Sequence, residues 1–180
     1  MSRPQAEEPC LPVFSVLTAD IDKLNRALQK LHPRWPKLRT MAPPFVFHET
    51  SYYEDEMGSG LLRWWGYRHC LENPADLMDW KQTSRDIEQM FVNSEGNRTV
   101  NIDPGYLNYG LFVLASYKYD LQKIAIGNGV YADPILAFGQ GDFQPFEWSF
   151  PDFKKPDYYS VFKEFRRRYK SLRSQKRRGR

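Results

Sequence analysis

In the stretch RTVNIDPGYL, residues 98–107, polar side chains fall at strand spacing. Successive strand side chains point to opposite faces. Thr99, Asn101 and Asp103 therefore share one face of a strand over 98–103, and Arg98, Val100 and Ile102 share the other. The same alternation over 111–118 groups Ser116 and Lys118 with Phe112 and Leu114, and over 130–138 it groups Tyr131 with Asp133. If these three strands neighbour one another, Asn101, Asp103, Ser116, Lys118, Tyr131 and Asp133 meet. A cation, two carboxylates and several amide or hydroxyl groups suit a phosphate, a carboxylate or a metal–phosphate ligand. The ammonium holds anionic oxygens, while carboxylates hold Mg²⁺ or a hydroxyl. Pro104-Gly105 reads as a sharp turn beside the cluster, with Gly105 letting a ligand approach the backbone. The competing reading is an exposed sheet face with solvated charges.

Other stretches offer chemistry with equally plain alternatives. YYEDEMG (52–58) places Glu54 and Glu56 on one face if extended, which suits a paired-carboxylate metal or acid–base site; the alternative is a solvated acidic loop. Lys81 and Glu88 lie about two helical turns apart and so on one side of a helix; with Arg85 between them, a surface charge ladder is the alternative. His32, His48 and His69 show no ligand spacing, so a structural zinc site is not expected. No P-loop or G-x-G-x-x-G occurs, which disfavours a conventional nucleotide fold. The ending FKEFRRRYKSLRSQKRRGR interleaves aromatic and basic residues, a pattern compatible with RNA contact or with an amphipathic helix that frays into solvent.

Elements must position these groups. VFSVLT (13–18) reads as a buried strand, and Ile21, Leu24, Leu28 and Leu31 recur at helical spacing behind a capping Asp20. HPRWPK and APP predict an irregular connection. Strands are expected over 45–53 and 61–70. After Asn73 and Pro74, a helix over 74–91 places Leu77, Trp80, Ser84, Ile87 and Phe91 on one side. Strands follow at 98–103, 111–118, 122–126 and 130–138, with GNG (127–129) as a hairpin turn. A last helix starts near Asp157 and buries Tyr158, Phe162, Phe165 and Tyr169. The order predicts one α+β domain: a largely antiparallel sheet with a ferredoxin-like β-α-β-β-α-β opening, a β meander and a C-terminal helix. Residues 1–12 are expected to be a flexible N-terminus, 13–170 the domain, and 171–180 a basic disordered tail.

Composition agrees with a packed domain. Of 180 residues, 41% are hydrophobic and 16% aromatic, and two cysteines give no disulfide framework. The net charge of +4 is unevenly spread: after Phe162 stand ten Lys or Arg and one acid, leaving sixteen bases and twenty-one acids in the rest. The basic balance thus belongs to the C-terminal end, not to the body. Residues 1–12 lack the apolar centre of a signal peptide, and no apolar run approaches the ~20 residues of a membrane span. A cytoplasmic location and no membrane partner are expected.

Several motifs occur together and in order: TSYYEDEMGSGLLR, RTVNIDPGYL, LASYK, GNGVYADPIL and EWSFPDF. Over about Val13 to Tyr169 the chain resembles the bacterial family designated domain of unknown function 4416. That resemblance implies no established reaction. It falls on Tyr52, Tyr53, Glu54, Glu56, Met57, Gly58 and Arg63, then on Lys81, Glu88, Arg98, Asn101, Asp103, Pro104, Gly105, Lys118 and Tyr131, and ends with Trp148, Pro151 and Asp152. The sequence departs from the family pattern at Lys123, where Arg is usual, at Ala125, where Tyr is usual, and at Asp133-Pro134, where Glu and a non-proline are usual. Those departures put a catalytic role for Asp133 most in doubt.

The residues lead to one expectation and one alternative. The first is a small anionic ligand, a nucleotide or phosphorylated metabolite, with or without Mg²⁺. Arg63, Lys81, Arg98, Asn101, Gly105, Lys118, Tyr131 and Asp152 are its candidate binding residues, and Asp103 and Glu56 its candidate metal ligands or catalytic acid–base groups. The alternative is a non-catalytic accessory protein that contacts RNA or a ribonucleoprotein through the basic C-terminal end.

Overall fold

The structure is a computed structural model that describes residues 3–47 and 53–178; the side chains of Glu54 and Asp55 are not described. The sheet runs β2-β3-β1-β4-β5-β7-β6, with β8 also pairing with β7, and all its strand pairs are antiparallel. Its strands are β1 (Leu11–Thr18), β2 (Leu38–Val46), β3 (Leu62–Arg68), β4 (Asn101–Leu107), β5 (Leu111–Ser116), β6 (Ile124–Gly127), β7 (Val130–Gly139) and β8 (Asp142–Pro145). Helix α1 (Ile21–Arg34) links β1 to β2, and α3 (Leu77–Glu88) links β3 to β4. β3 lies between β1 and β2, and β1 lies between β3 and β4. This is the split β-α-β arrangement expected from the element order.

Both helices cover the same face. Leu24, Ala27 and Leu31 of α1 and Leu77, Trp80 and Ile87 of α3 pack with Phe14, Val16, Ile102, Val113 and Ala115. Asp20 caps α1 by accepting from the N–H groups of Asp22 and Lys23. The opposite face is covered over half its length by α4 (Tyr159–Arg178). There Trp65 is the hub: the rings of Phe153, Tyr158, Phe162 and Phe165 lie 5.3–6.5 Å from it, edge-on. Each such pair adds about 0.5–1.5 kcal/mol beyond burial, so the high aromatic content is the cement of this second layer. Toward the Thr18 end of β1 the same face carries a separate cluster, in which Leu17 packs with Phe47, Met57 and Leu61.

The expected and observed elements differ in instructive places. The strand expected over 45–53 lies instead at Leu38–Val46, and 48–52 fall outside the described residues. Pro43 and Pro44 are accommodated because β2 is the edge strand and its pairing with β3 is bulged at this point. Residues Glu54–Met57 form a short helical turn, α2, rather than the extended run that would put Glu54 and Glu56 on one face. Pro33 falls in the last turn of α1 and does not end it. The basic end is helical through Arg178 rather than frayed from residue 171. At the other end, Cys10 pairs with Glu72 through the backbone, and Glu8 accepts from Tyr169 and Arg173. No described helix is long and apolar enough to cross a membrane.

The most consequential difference is in β4, which runs straight through Pro104-Gly105 instead of turning there. Val16 and Phe14 of β1 lie opposite Ile102 and Pro104, and the N–H and C=O of Ile102 point away from β1, toward α3 side chains. Pro104 has the same parity as Ile102, so its missing donor also falls on the side away from β1. On that side β5 pairs only with Gly105, Tyr106 and Leu107. β4 and β5 therefore separate beyond Gly105, and Pro104 forfeits no ladder bond. Gly105 makes the junction tight rather than a turn: a Cβ there would stand 2.5 Å from the Val113 carbonyl oxygen.

Candidate functional site: a charged cleft where the sheet splits

Separating β4 from β5 strips the Ile102 peptide of its strand partner, and two side chains of α3 replace it. Glu88 accepts from the Ile102 N–H at 2.5 Å, and Lys81 Nζ donates to the Ile102 carbonyl at 3.2 Å. Both side chains are about 95% buried. The surface charge ladder is thus overturned. Lys81, Ser84 and Glu88 continue the inward stripe of Leu77, Trp80 and Ile87, because an unpaired strand edge inside a protein needs polar partners.

From Lys81 a chain of charge-assisted bonds runs to Glu56. Lys81 Nζ lies 3.1 Å from Asp103 Oδ1, and Asn101 Nδ2 donates to Asp103 Oδ2 at 2.6 Å. Arg98 Nη1 donates to Asn101 Oδ1 at 2.6 Å, while its Nε and Nη2 clamp both oxygens of Glu56 at 3.1 and 2.9 Å. Alternation in β4 does bring Asn101 and Asp103 to one face, as the sequence predicts. Arg63 of β3 lies in register with Leu17 of β1, which is in register with Asn101, so Arg63 joins the same row. Its Nη1 lies 3.5 Å from the buried Asp152 carboxylate, and its guanidinium sits 4.6 Å from the Phe47 ring.

These groups line a cleft of about 500 Å³. One wall carries Phe47, Tyr53, Arg63 and Asp152; the split in the sheet contributes Lys81, Glu88, Arg98, Asn101 and Asp103; the segment from Ala115 to Lys123 and Phe150 form the other wall. Ser116 and Lys118 line it as alternation predicts. Gly105, Tyr131 and Trp148 lie outside the lining. Gly105 is packed on β5, Tyr131 meets the Tyr119 ring edge-on at 5.9 Å, and Trp148 stacks on Phe146 while its indole N–H donates to the Pro134 carbonyl. Glu56 also lies outside it, behind Arg98.

Electrostatics follow from this packing. Burial raises the Asp103 carboxyl, but the charges of Lys81 and Arg63 and the bonds from Lys81 and Asn101 outweigh it and hold the group below the usual range. Glu88 goes the other way, because burial exceeds the help of Lys81 and the Ile102 N–H. Arg98 pulls Glu56 down, and Glu56 in turn offsets the burial of Arg98 and raises it. Tyr53 is pushed up to about 12, by burial first and by the Asp103 charge second. Among the described residues no group of three His, Cys, Asp or Glu side chains could hold a metal ion. Asp103 and Glu56 each have both oxygens occupied by a cation or an amide, so this donor set does not suit a protein-held Mg²⁺.

The family model described as domain of unknown function (DUF4416) matches residues 8–169. The chain belongs to this family. No curated protein and no solved structure matches it.

Within this DUF4416 chain, the departures noted at Lys123 and Asp133 turn out to be partners. Lys123 Nζ lies 3.3 Å from Asp133 Oδ2, and both side chains are buried. Lys123 also bonds Ser116 Oγ and the Lys118 carbonyl, which pins the β5–β6 loop to β7. Sequence reasoning missed the rings that line both walls, Phe47, Tyr117, Tyr119 and Phe150, because all four lie beyond the ends of the observed strands, where alternation carries no signal. For Lys81 and Glu88 a signal existed: charged residues at positions that continue an apolar helical stripe.

Proposed function

We propose that this DUF4416 chain binds a small anionic ligand, a nucleotide or phosphorylated metabolite, in the cleft between β4 and β5. The observation that carries this reading is Arg63. It is 95% buried, its Nε has no hydrogen-bond partner among the described residues, and its contact with Asp152 is a long 3.5 Å. Buried guanidinium groups are normally fully bonded, so this one has capacity for an incoming oxyanion. Lys81, Arg98, Lys118 and Lys123 line the same cleft and add positive potential. A volume of about 500 Å³ falls in the range of roughly 300–1,000 Å³ typical of small-molecule sites. Mg²⁺ enters this reading as a counter-ion carried by the ligand's phosphates rather than as a resident of the protein. Asp103, whose two oxygens are engaged by Lys81 and Asn101, serves in this reading to hold those two groups at the cleft.

The test is calorimetric titration of the full chain with inorganic phosphate and with phosphorylated metabolites, repeated with Arg63→Met. A charge-assisted hydrogen bond contributes about 1.5–3 kcal/mol, so the variant is expected to bind at least tenfold more weakly. Equal affinity of the two proteins would refute the assignment of Arg63.

A second reading rests on α4, whose exposed cations continue to Arg178. In this reading they contact RNA. Deleting Ser171–Arg180 keeps the buried anchors Val161, Phe162, Phe165 and Tyr169, so the fold is expected to survive. Loss of RNA retention at low salt supports the reading, and undiminished retention rejects it.

A further inference from the structure

The cleft presents flat surfaces as well as charge, and the two are interleaved. The Arg63 guanidinium lies over Phe47 at 4.6 Å, Lys81 Nζ is 5.7 Å from the Tyr117 ring, and Lys123 Nζ is 5.8 Å from the Phe150 ring. A wall that only had to hold a sugar phosphate would need donors and cations, not a succession of rings. The rings at the rim are also left in water: Tyr119 is 68% exposed and Phe150 42%. Exposed aromatic area of this kind lowers free energy when something apolar covers it.

The loop bearing Tyr119 is not loose. Lys123 fastens it to Ser116, to the Lys118 carbonyl and to the buried Asp133. Tyr131 abuts the Tyr119 ring edge-on at 5.9 Å. A ring held from behind and bare in front is preorganised for stacking, because little conformational freedom remains to be lost on binding.

We infer that the ligand is a nucleoside monophosphate, its base stacked on Tyr119 and Phe150 at the rim and its phosphate drawn toward Arg63. This inference rests on the anion-binding reading above and narrows it. Base identity is read only weakly in this arrangement. Asp120, the acid next to Tyr119, already accepts from the Leu121 N–H at 2.9 Å and from Gln122 Nε2 at 3.3 Å. Stacking alone tolerates any base, since every base has a π-face. Purines and pyrimidines should therefore both bind, purines modestly better.

The experiment is isothermal titration of the full chain with adenosine monophosphate, cytidine monophosphate, ribose 5-phosphate and inorganic phosphate. Both nucleotides are expected to bind at least about fivefold tighter than ribose 5-phosphate, as one stacked base contributes. Tyr119→Ala is expected to remove most of that difference; the side chain is largely in solvent, so the fold is not at risk, and a circular dichroism melt verifies it. If ribose 5-phosphate matches the nucleotides, or if Tyr119→Ala leaves the ratio intact, the nucleotide inference is wrong while anion binding stands. If none of the four binds, both fail together.

Discussion

Replacing Lys81 with Met tests the idea that α3 repairs the split in the sheet. Met keeps most of the aliphatic stem but removes the ammonium that serves Asp103 at 3.1 Å and the Ile102 carbonyl at 3.2 Å. Removing one partner of a buried ion pair costs about 3–5 kcal/mol. Lys81 is almost fully buried, but the Asp103 side chain is 22% exposed, so water screens part of the loss. A penalty of about 3 kcal/mol follows. At roughly 2–4 °C per kcal/mol for a domain of this size, Tm should fall by about 6–12 °C. The pH dependence is the sharper signature. The folded carboxyl of Asp103 lies below its ordinary value. Its contribution is therefore complete above the unfolded pKa of about 3.9 and disappears as pH falls through the folded value. In Lys81→Met the same carboxylate is half-buried without its ammonium, and protonation relieves it. The gap between variant and parent should thus be widest near pH 7 and narrow as pH is lowered toward 3. Adding Asp103→Asn removes the stranded charge and keeps an acceptor for Asn101, which should restore about 1–2 kcal/mol. Urea unfolding across pH measures all three proteins. A deficit below about 0.5 kcal/mol, or one that is constant across pH, would show that α3 does not serve β4 in this way.

Two further substitutions probe the surroundings of the cleft. Glu56→Gln weakens the clamp on Arg98. With 36% of the Glu56 side chain in solvent, the cost should be about 0.5–1 kcal/mol at pH 7. Since the hydrogen bond from Arg98 lowers the Glu56 carboxyl, its contribution exists above the unfolded pKa and is lost on acidification, so parent and variant should converge at acid pH in denaturant titrations. Gly105→Ala forces a Cβ to 2.5 Å from the Val113 carbonyl oxygen and 2.9 Å from Leu114 Cδ2. The backbone there must shift, at about 1–3 kcal/mol, and a thermal melt unchanged from the parent would contradict the tight junction described for β4 and β5.

What the sequence made legible divides along a physical line. Period-two alternation located Asn101, Asp103, Ser116 and Lys118 on one face because that pattern is local to each strand. The element order likewise produced the split β-α-β layout. Neither pattern carries the pairing register, and register is what makes the cleft. Pro104-Gly105 reads locally as a turn, yet in the sheet it is the point where one neighbour is kept and the other lost: β1 stays paired along all of β4, and β5 does not. An interruption of that kind leaves a peptide to be satisfied, and the satisfying groups came from a helix far away in sequence, at Lys81 and Glu88. Pro43 and Pro44 show the same limit, since they break a strand only if its N–H groups are needed, and on edge strand β2, bulged from β3 at this point, they are not. The hairpin between β7 and β8 turns on Gln140 and Gly141, both at positive φ, but β8 is only four residues long, too short for alternation to show in the sequence. The polar residues of this domain thus cluster where the backbone ladder is incomplete. In the proposed anion-binding reading, the groups that complete the ladder and those that would meet a ligand are the same few side chains. Stability and binding at Lys81 and Asp103 would then be coupled, and a ligand that engages either should also raise the resistance of β4 to opening.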